Sequence, residues 1–92
     1  MTTADPIGLV EYIVRNLVRH PDEVKITPVY LDTSLILELR VNPSDLGAVI
    51  GKNGRIARAI RNALASIRDK KIIRDDGTEL SFHRIQLEII DE

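Results

Sequence analysis

Apolar positions recur along this chain at two periods, and the change of period marks its elements. Ile7, Val10, Val14 and Leu17 fall at helical spacing, with Leu9 and Ile13 broadening the stripe. Asp5 is placed to cap this helix, and Pro6 suits its first turn. His20-Pro21 should end it, because proline disfavours helix at the residue before it. Val24 to Leu31 is rich in β-branched and aromatic residues and predicts a strand. Pro28 cannot donate to a ladder, so that strand belongs at a sheet edge. After the turn at Asp32-Thr33 the period becomes two. Leu35, Leu37, Leu39 and Val41 share one face of a second strand, and Glu38 and Arg40 face the other way.

Asn42-Pro43-Ser44-Asp45 reads as a helix start, with Asn42 as cap, Pro43 in the first position and Asp45 bonding back to the cap. This short helix ends at Ile50. A longer one runs from Arg55 to about Asp69, with Ile56, Ile60, Ala63, Leu64 and Ile67 toward the core and Arg55, Arg58, Arg61 and Arg68 on the opposite side. From His83 to Ile90 the alternation returns: Ile85, Leu87 and Ile89 against Arg84, Gln86 and Glu88. The order is helix, strand, strand, helix, helix, strand. The first two strands form an antiparallel hairpin. The last returns after a two-helix crossover and should run parallel to the second, which is then central. The expectation is an α+β domain, a three-stranded mixed sheet packed on one face by three helices.

Net charge is only −1 over 92 residues, but its distribution is uneven. Met1 to Gly47 holds four basic and seven acidic residues; Ala48 to Arg74 holds eight basic and one acidic; Asp75 to Glu92 holds one basic and six acidic. Positive charge is therefore focused on one helix and the turn before it, where it can attract phosphate locally while the acidic remainder limits indiscriminate binding.

That turn is Gly51-Lys52-Asn53-Gly54. Glycine lacks a Cβ, tolerates positive φ and lets another backbone approach closely. A helix starting at Arg55 directs unpaired N–H groups and a positive dipole end toward the turn, and Lys52 adds a full charge. A phosphodiester backbone fits such a place. A tight helix–helix turn is the plainer reading of the same glycines, and Asn53-Gly54 is turn chemistry in its own right. A plain turn, however, needs neither Lys52 nor the flanking arginines.

The stretch Val49 to Ile60, with its Ile50-Gly51-Lys52-Asn53-Gly54 core and the lead-in Glu38 to Gly47, resembles the Ile-Gly-x-x-Gly signature of KH domains. The chain as a whole is similar to the small bacterial single-KH-domain proteins of the KhpA type, from about Leu9 to Arg68 and again near His83. The resemblance implies the type II KH fold, in the order α-β-β-α-α-β, as a single domain over residues 1–92. It implies a groove for about four nucleotides of single-stranded RNA, one wall being the glycine loop with its helices and the other the central strand with the variable loop. Carried onto this chain, the phosphate clamp is Gly51, Lys52, Asn53 and Gly54. Arg55 and Arg58 add phosphate contacts, Ile50 and Ala57 supply a floor for bases, and Arg40 stands on the opposite wall. The resemblance further implies a cytoplasmic RNA chaperone or post-transcriptional regulator linked to cell elongation and division. It also implies a homodimer, or pairing with a larger Jag-type KH protein, KhpB.

Between Asp69 and Phe82 the chain departs from the short family members. This extended variable loop, about residues 70–82, has Ile72, Ile73, Leu80 and Phe82 placed to pair across Asp75-Asp76-Gly77 as a hairpin. It suits a longer groove wall, through Lys70, Lys71 and Arg74, or a partner-binding arm equally. Two further readings stand beside RNA binding: a protein-interaction module with vestigial RNA binding, and helix-hairpin-helix-like DNA binding.

Other classes fare badly. No cysteine is present, which removes disulfides and thiolate chemistry. His20 and His83 have no neighbouring zinc ligand set, so neither metal nor cofactor is expected. Gly47 to Asn53 looks like a P-loop but is one residue short, and Asn53 replaces the magnesium-binding hydroxyl. No nucleophile context is visible, so no enzyme is expected. No apolar run is long enough to span a membrane, and the first residues lack the features of a signal peptide. With only Tyr12, Tyr30 and Phe82 as aromatics, broad base-stacking platforms are not expected.

Overall fold

The computed structural model describes residues 5–67, 71–73 and 76–91. Helix α1 spans Pro6–Arg15, strands β1 and β2 span Lys25–Tyr30 and Ser34–Arg40, helix α2 spans Leu46–Ile50, and helix α3 spans Arg55–Ala65. Short strands β3 (Lys71–Ile73) and β4 (Glu79–Ser81) precede β5, Arg84–Ile89. The main sheet has the order β1-β2-β5. β1 runs antiparallel to β2, from Lys25 opposite Arg40 to Tyr30 opposite Leu35. β5 runs parallel to β2, from Ser34 opposite Arg84 to Leu39 opposite Ile89. The α+β order, the central second strand and the edge position of Pro28 all agree with the sequence reading.

The period-two pattern explains why this register holds. Leu35, Leu37 and Leu39 of β2 are buried, as are Ile85 and Leu87 of β5. They meet Val10 and Val14 of α1, Val49 of α2, and Ile60 and Leu64 of α3 in one cluster. Each buried leucine contributes about 1.5–3 kcal/mol, and a one-residue slip would turn all three on β2 to the open face. Phe82 was expected in the hairpin ladder. Instead the β3–β4 pairing ends with Lys71 opposite Ser81, and Phe82 is buried in the main core, its ring centroid 6.0 Å from that of Tyr30.

Two helix ends differ from expectation. α1 stops at Arg15, five residues before His20, because the following segment is held elsewhere. α3 stops at Ala65, where the Ser66 Oγ donates to the Ala63 carbonyl at 2.6 Å and competes for the last turn. Arg68, Asp69, Lys70, Arg74 and Asp75 lie outside the described residues.

What holds the segment after α1 is Asp45, which is 2% exposed. Its Oδ1 accepts from the Arg19 N–H at 3.1 Å and its Oδ2 from the His20 N–H at 3.0 Å. The His20 Nδ1 lies 3.0 Å from the same Oδ2. The expected bond from the Asp45 side chain back to Asn42 is therefore not made. An aspartate is one methylene shorter than the glutamate of a capping box, and two otherwise orphaned N–H groups claim it. Asn42 does cap, its Oδ1 accepting from the Ser44 N–H at 2.9 Å. It also receives Ser44 Oγ, and its Nδ2 donates to Glu23 Oε2. The entry to α2 is thus stapled to residues 19–23.

Burial opposes the charge on Asp45, but the hydrogen bonds from Arg19 and His20 outweigh it and hold the carboxyl below its ordinary range. A carboxyl whose folded pKa is depressed contributes stability that is complete above its unfolded value and is lost as pH falls through the folded one. Asp45→Asn should therefore lower the denaturation midpoint at neutral pH by more than Asp22→Asn. The gap to wild type should close as pH is taken below about 4, the ordinary aspartate range. Urea melts at pH 7 and pH 3 check this; a gap that is constant with pH would mean that the charge of Asp45 is not what staples the segment.

Candidate nucleic-acid interface

Between α2 and α3 the chain leaves the helix at Gly51, with φ 78° and ψ 170°. The Gly51 N–H still closes α2 on the Gly47 carbonyl at 2.8 Å. A single 3₁₀ turn follows: the Gly54 N–H donates to the Gly51 carbonyl, and the Arg55 N–H to that of Lys52. Asn53 (φ 57°) and Gly54 (φ 75°) are both left-handed. The N–H groups of Lys52 and Asn53 precede the first bond of this turn and are not used within it, and α3 begins directly after it.

The two glycines are required for different reasons. A Cβ at Gly51 would lie 2.6 Å from Ile56 Cγ1 and 2.9 Å from the Ile56 nitrogen. The loop therefore folds directly onto the start of α3. A Cβ at Gly54 would meet nothing within 4 Å. That open space belongs to a groove of about 390 Å³ lined by Leu46, Ile50, Gly54, Ala57, Arg61, Leu87, Glu88, Ile89 and Asp91. Gly54, Ala57 and Arg61 form one stripe of α3, because residues three and four apart share a helix face.

The structure distributes the expected site residues over three places. Ile50 and Ala57 line the groove, Ile50 being 40% exposed and Ala57 buried in its wall. Lys52, Asn53, Arg55 and Arg58 are exposed along its rim and do not line it. Among the described residues none of these three cations is in an ion pair. Arg40 is not on the facing wall. It lines a neighbouring depression of about 230 Å³ with Val41, Pro43, Leu46 and Ile90, and its Nη1 lies 3.7 Å from Glu38 Oε1.

The facing wall also differs from expectation. It is the last strand, β5, not the central one. The reason is topological: both edges of β2 are taken by β1 and β5, so only an edge strand can border a cleft beside α3. Asp76, Gly77, Thr78, Ser81 and Phe82 of the extended variable loop do not line the groove. Arg61, expected on the helix side away from the core, lies in the groove wall, its Nη2 reaching the Leu87 carbonyl at 3.5 Å. The signal was available, since Arg61 follows Gly54 and Ala57 on one helical stripe.

The site thus combines a glycine loop beside exposed cations that are in no ion pair among the described residues, a groove with Ile50 and Ala57 in its lining, and the carboxyl-bearing residues Glu88 and Asp91 from β5 and the residues after it. Among the described residues no cluster of histidine and carboxylate side chains could hold a metal ion. The strands flanking the two helices are not part of a helix-hairpin-helix, which removes that alternative for the fold.

The family model "KhpA/KhpB, KH domain" matches residues 8–74. The RNA-binding protein KhpA of Borreliella burgdorferi is 46% identical over 85 residues, covering 92% of this chain and 92% of that protein. The RNA-binding protein KhpA of Listeria monocytogenes is 54% identical over 67 residues, covering 70% and 88%. That of Aquifex aeolicus is 46% identical over 59 residues, covering 64% and 75%. No solved structure shows a significant match. With its motif, strand order and glycine loop in the places such a domain requires, this chain belongs to the KhpA/KhpB KH-domain family.

Proposed function

We propose that this chain binds single-stranded RNA, its phosphates held by the Gly51–Gly54 loop with Arg55 and Arg58, and its bases laid on Ile50 and Ala57. The observation that carries this reading is the loop itself. Its 3₁₀ turn leaves the backbone N–H groups of Lys52 and Asn53 unused within it, Lys52, Arg55 and Arg58 are exposed and among the described residues in no ion pair, and Gly54 lines the groove. A groove of about 390 Å³ suits a few unstacked bases, the form in which KH domains take RNA. No covalent chemistry is assigned to it.

One groove of this size holds few nucleotides, and affinity on its own is modest. A second module raises it through effective concentration. For that reason we place the chain in a homodimer or beside a larger Jag-type KhpB partner. The role is that of a cytoplasmic RNA chaperone or post-transcriptional regulator serving cell elongation and division. No described helix is long and apolar enough to cross a membrane.

Salt and strand type test the core of the reading. Each phosphate neutralised on a single strand contributes a slope of about 0.7 in log K against log salt. Two to four contacts should therefore give a slope of roughly 1.5–3 in fluorescence anisotropy titrations with single-stranded RNA. Duplexes of the same sequence should bind more weakly at every salt concentration. Equal or tighter duplex binding would overturn the groove reading. A folded protein that binds no RNA would favour the interaction-module alternative.

A further inference from the structure

Arg61 borders two spaces. Beyond the groove it lines a second depression of about 380 Å³ with Ile36, Ile85, Gln86, Leu87 and Glu88. Arg61, Leu87 and Glu88 are common to both, so the two lie end to end along β5 with the arginine between them. Among the described residues the strand beside them is an open edge. In a parallel ladder, alternate residues turn their backbone groups to the neighbour. The Arg84 and Ile90 N–H groups donate to Thr33 and Leu39. Even-numbered residues of β5 therefore face β2, and Ile85, Leu87 and Ile89 present their backbone groups outward. The arginine closes this edge only weakly, since 3.5 Å is at the long limit of a hydrogen bond.

We propose that the RNA groove continues past Arg61 into this second depression, which takes further nucleotides of the same strand when Arg61 swings off the Leu87 carbonyl. The inference rests on the RNA reading above. Continuity and charge identify the occupant. A strand leaving the groove along α3 meets the Arg61 guanidinium next, a suitable partner for its phosphate. Glu88 repels phosphate on the opposite side, so the backbone is kept to the helix wall and the bases are turned toward β5. There the Gln86 amide offers both a donor and an acceptor to a base edge. Ile36, the cross-strand neighbour of Gln86, supplies apolar surface beside it on the same sheet face.

The test is a length series of fluorescein-labelled, random-sequence RNA of four, six and eight nucleotides, read by anisotropy. A hexamer offers three registers to a four-nucleotide site, so it gains about threefold by statistics alone. With the second depression occupied, the hexamer should bind at least about tenfold tighter than the tetramer, one decade in Kd. Gln86→Glu places a carboxylate in the depression, on a side chain already exposed. It should reduce the gain to the statistical value and leave the tetramer unchanged. In ¹H–¹⁵N spectra the Gln86 side-chain amide and the Arg61 Nε should shift with the hexamer and stay in place with the tetramer. A wild-type gain of only about threefold, or a Gln86→Glu protein that keeps the larger gain, would overturn the extension while the clamp stands. If replacing Lys52 and Asn53 by aspartate leaves binding at every length untouched, the RNA reading itself fails, and the extension with it.

Discussion

RNA affinity should fall about 100-fold when Lys52 and Asn53 are both replaced by aspartate, and the fold should survive. Two unit charges about 4 Å apart interact by about 1 kcal/mol in water. One attraction is lost and two repulsions are gained where phosphate sits. The sum, about 3 kcal/mol, is close to two decades in Kd. Less water in the occupied groove raises each figure. Stability is a separate matter. Lys52 and Asn53 are exposed, and surface substitutions usually stay within about 0.5 kcal/mol. Asn53 adopts φ 57°, a conformation that aspartate also visits, so the backbone of the turn is kept. Circular dichroism and a urea melt establish folding, and anisotropy with single-stranded RNA gives the affinity. A folded double variant with wild-type affinity would remove the loop from the binding surface and leave its glycines as a plain inter-helix turn.

The parts of this molecule that could be read from its sequence are those set by local physics. Leu35, Leu37 and Leu39 at period two, and Val10 and Val14 at helical spacing, declare which face is buried without reference to the rest of the chain. Pro28 declares an edge, because its missing donor is a property of the residue alone. The glycine loop is legible for the same reason: its φ angles are demanded by residues 51, 53 and 54 themselves.

What could not be read depends on contacts between distant residues. Asp45 has the spacing of a capping residue. Only the fold brings the Arg19 and His20 N–H groups within 3.1 Å of it, across more than twenty positions. The facing wall of the groove was misplaced because a motif names the loop and not its neighbour. Which strand borders α3 follows from the β1-β2-β5 order, and Arg40 was carried to the wrong wall with it. Phe82 is apolar in a turn-rich stretch, which suits a hairpin and a core equally until its contact with Tyr30 decides. Arg61 is different in kind. Its stripe was present in the sequence, but a positive charge on a helix face is read first as solvated.

Gly51→Ala should cost about 3 kcal/mol of stability, while Gly54→Asn should cost less than about 1 kcal/mol, although both positions belong to the same motif. At Gly51 the angles φ 78° and ψ 170° lie in a region essentially closed to residues with a Cβ, a strain of about 1–3 kcal/mol. The new methyl would also meet Ile56 Cγ1 and the Ile56 backbone nitrogen, and the second of these belongs to the first turn of α3 and cannot rotate away. Such overpacking costs about 1–3 kcal/mol more. For a domain of 92 residues the melting temperature should fall by roughly 15 °C. At Gly54 the angles φ 75° and ψ 16° are left-handed helical, where asparagine is accommodated, and a Cβ meets nothing. The loss at that position is in binding, because the added side chain projects into the groove that Gly54 lines. Melting curves should therefore separate the two variants, and RNA titrations should not, Gly51→Ala failing through its loop and Gly54→Asn through an obstructed groove. Equal melting temperatures for Gly51→Ala and wild type would mean that the loop does not fold onto Ile56, and the loop would lose the close packing that fixes it against α3.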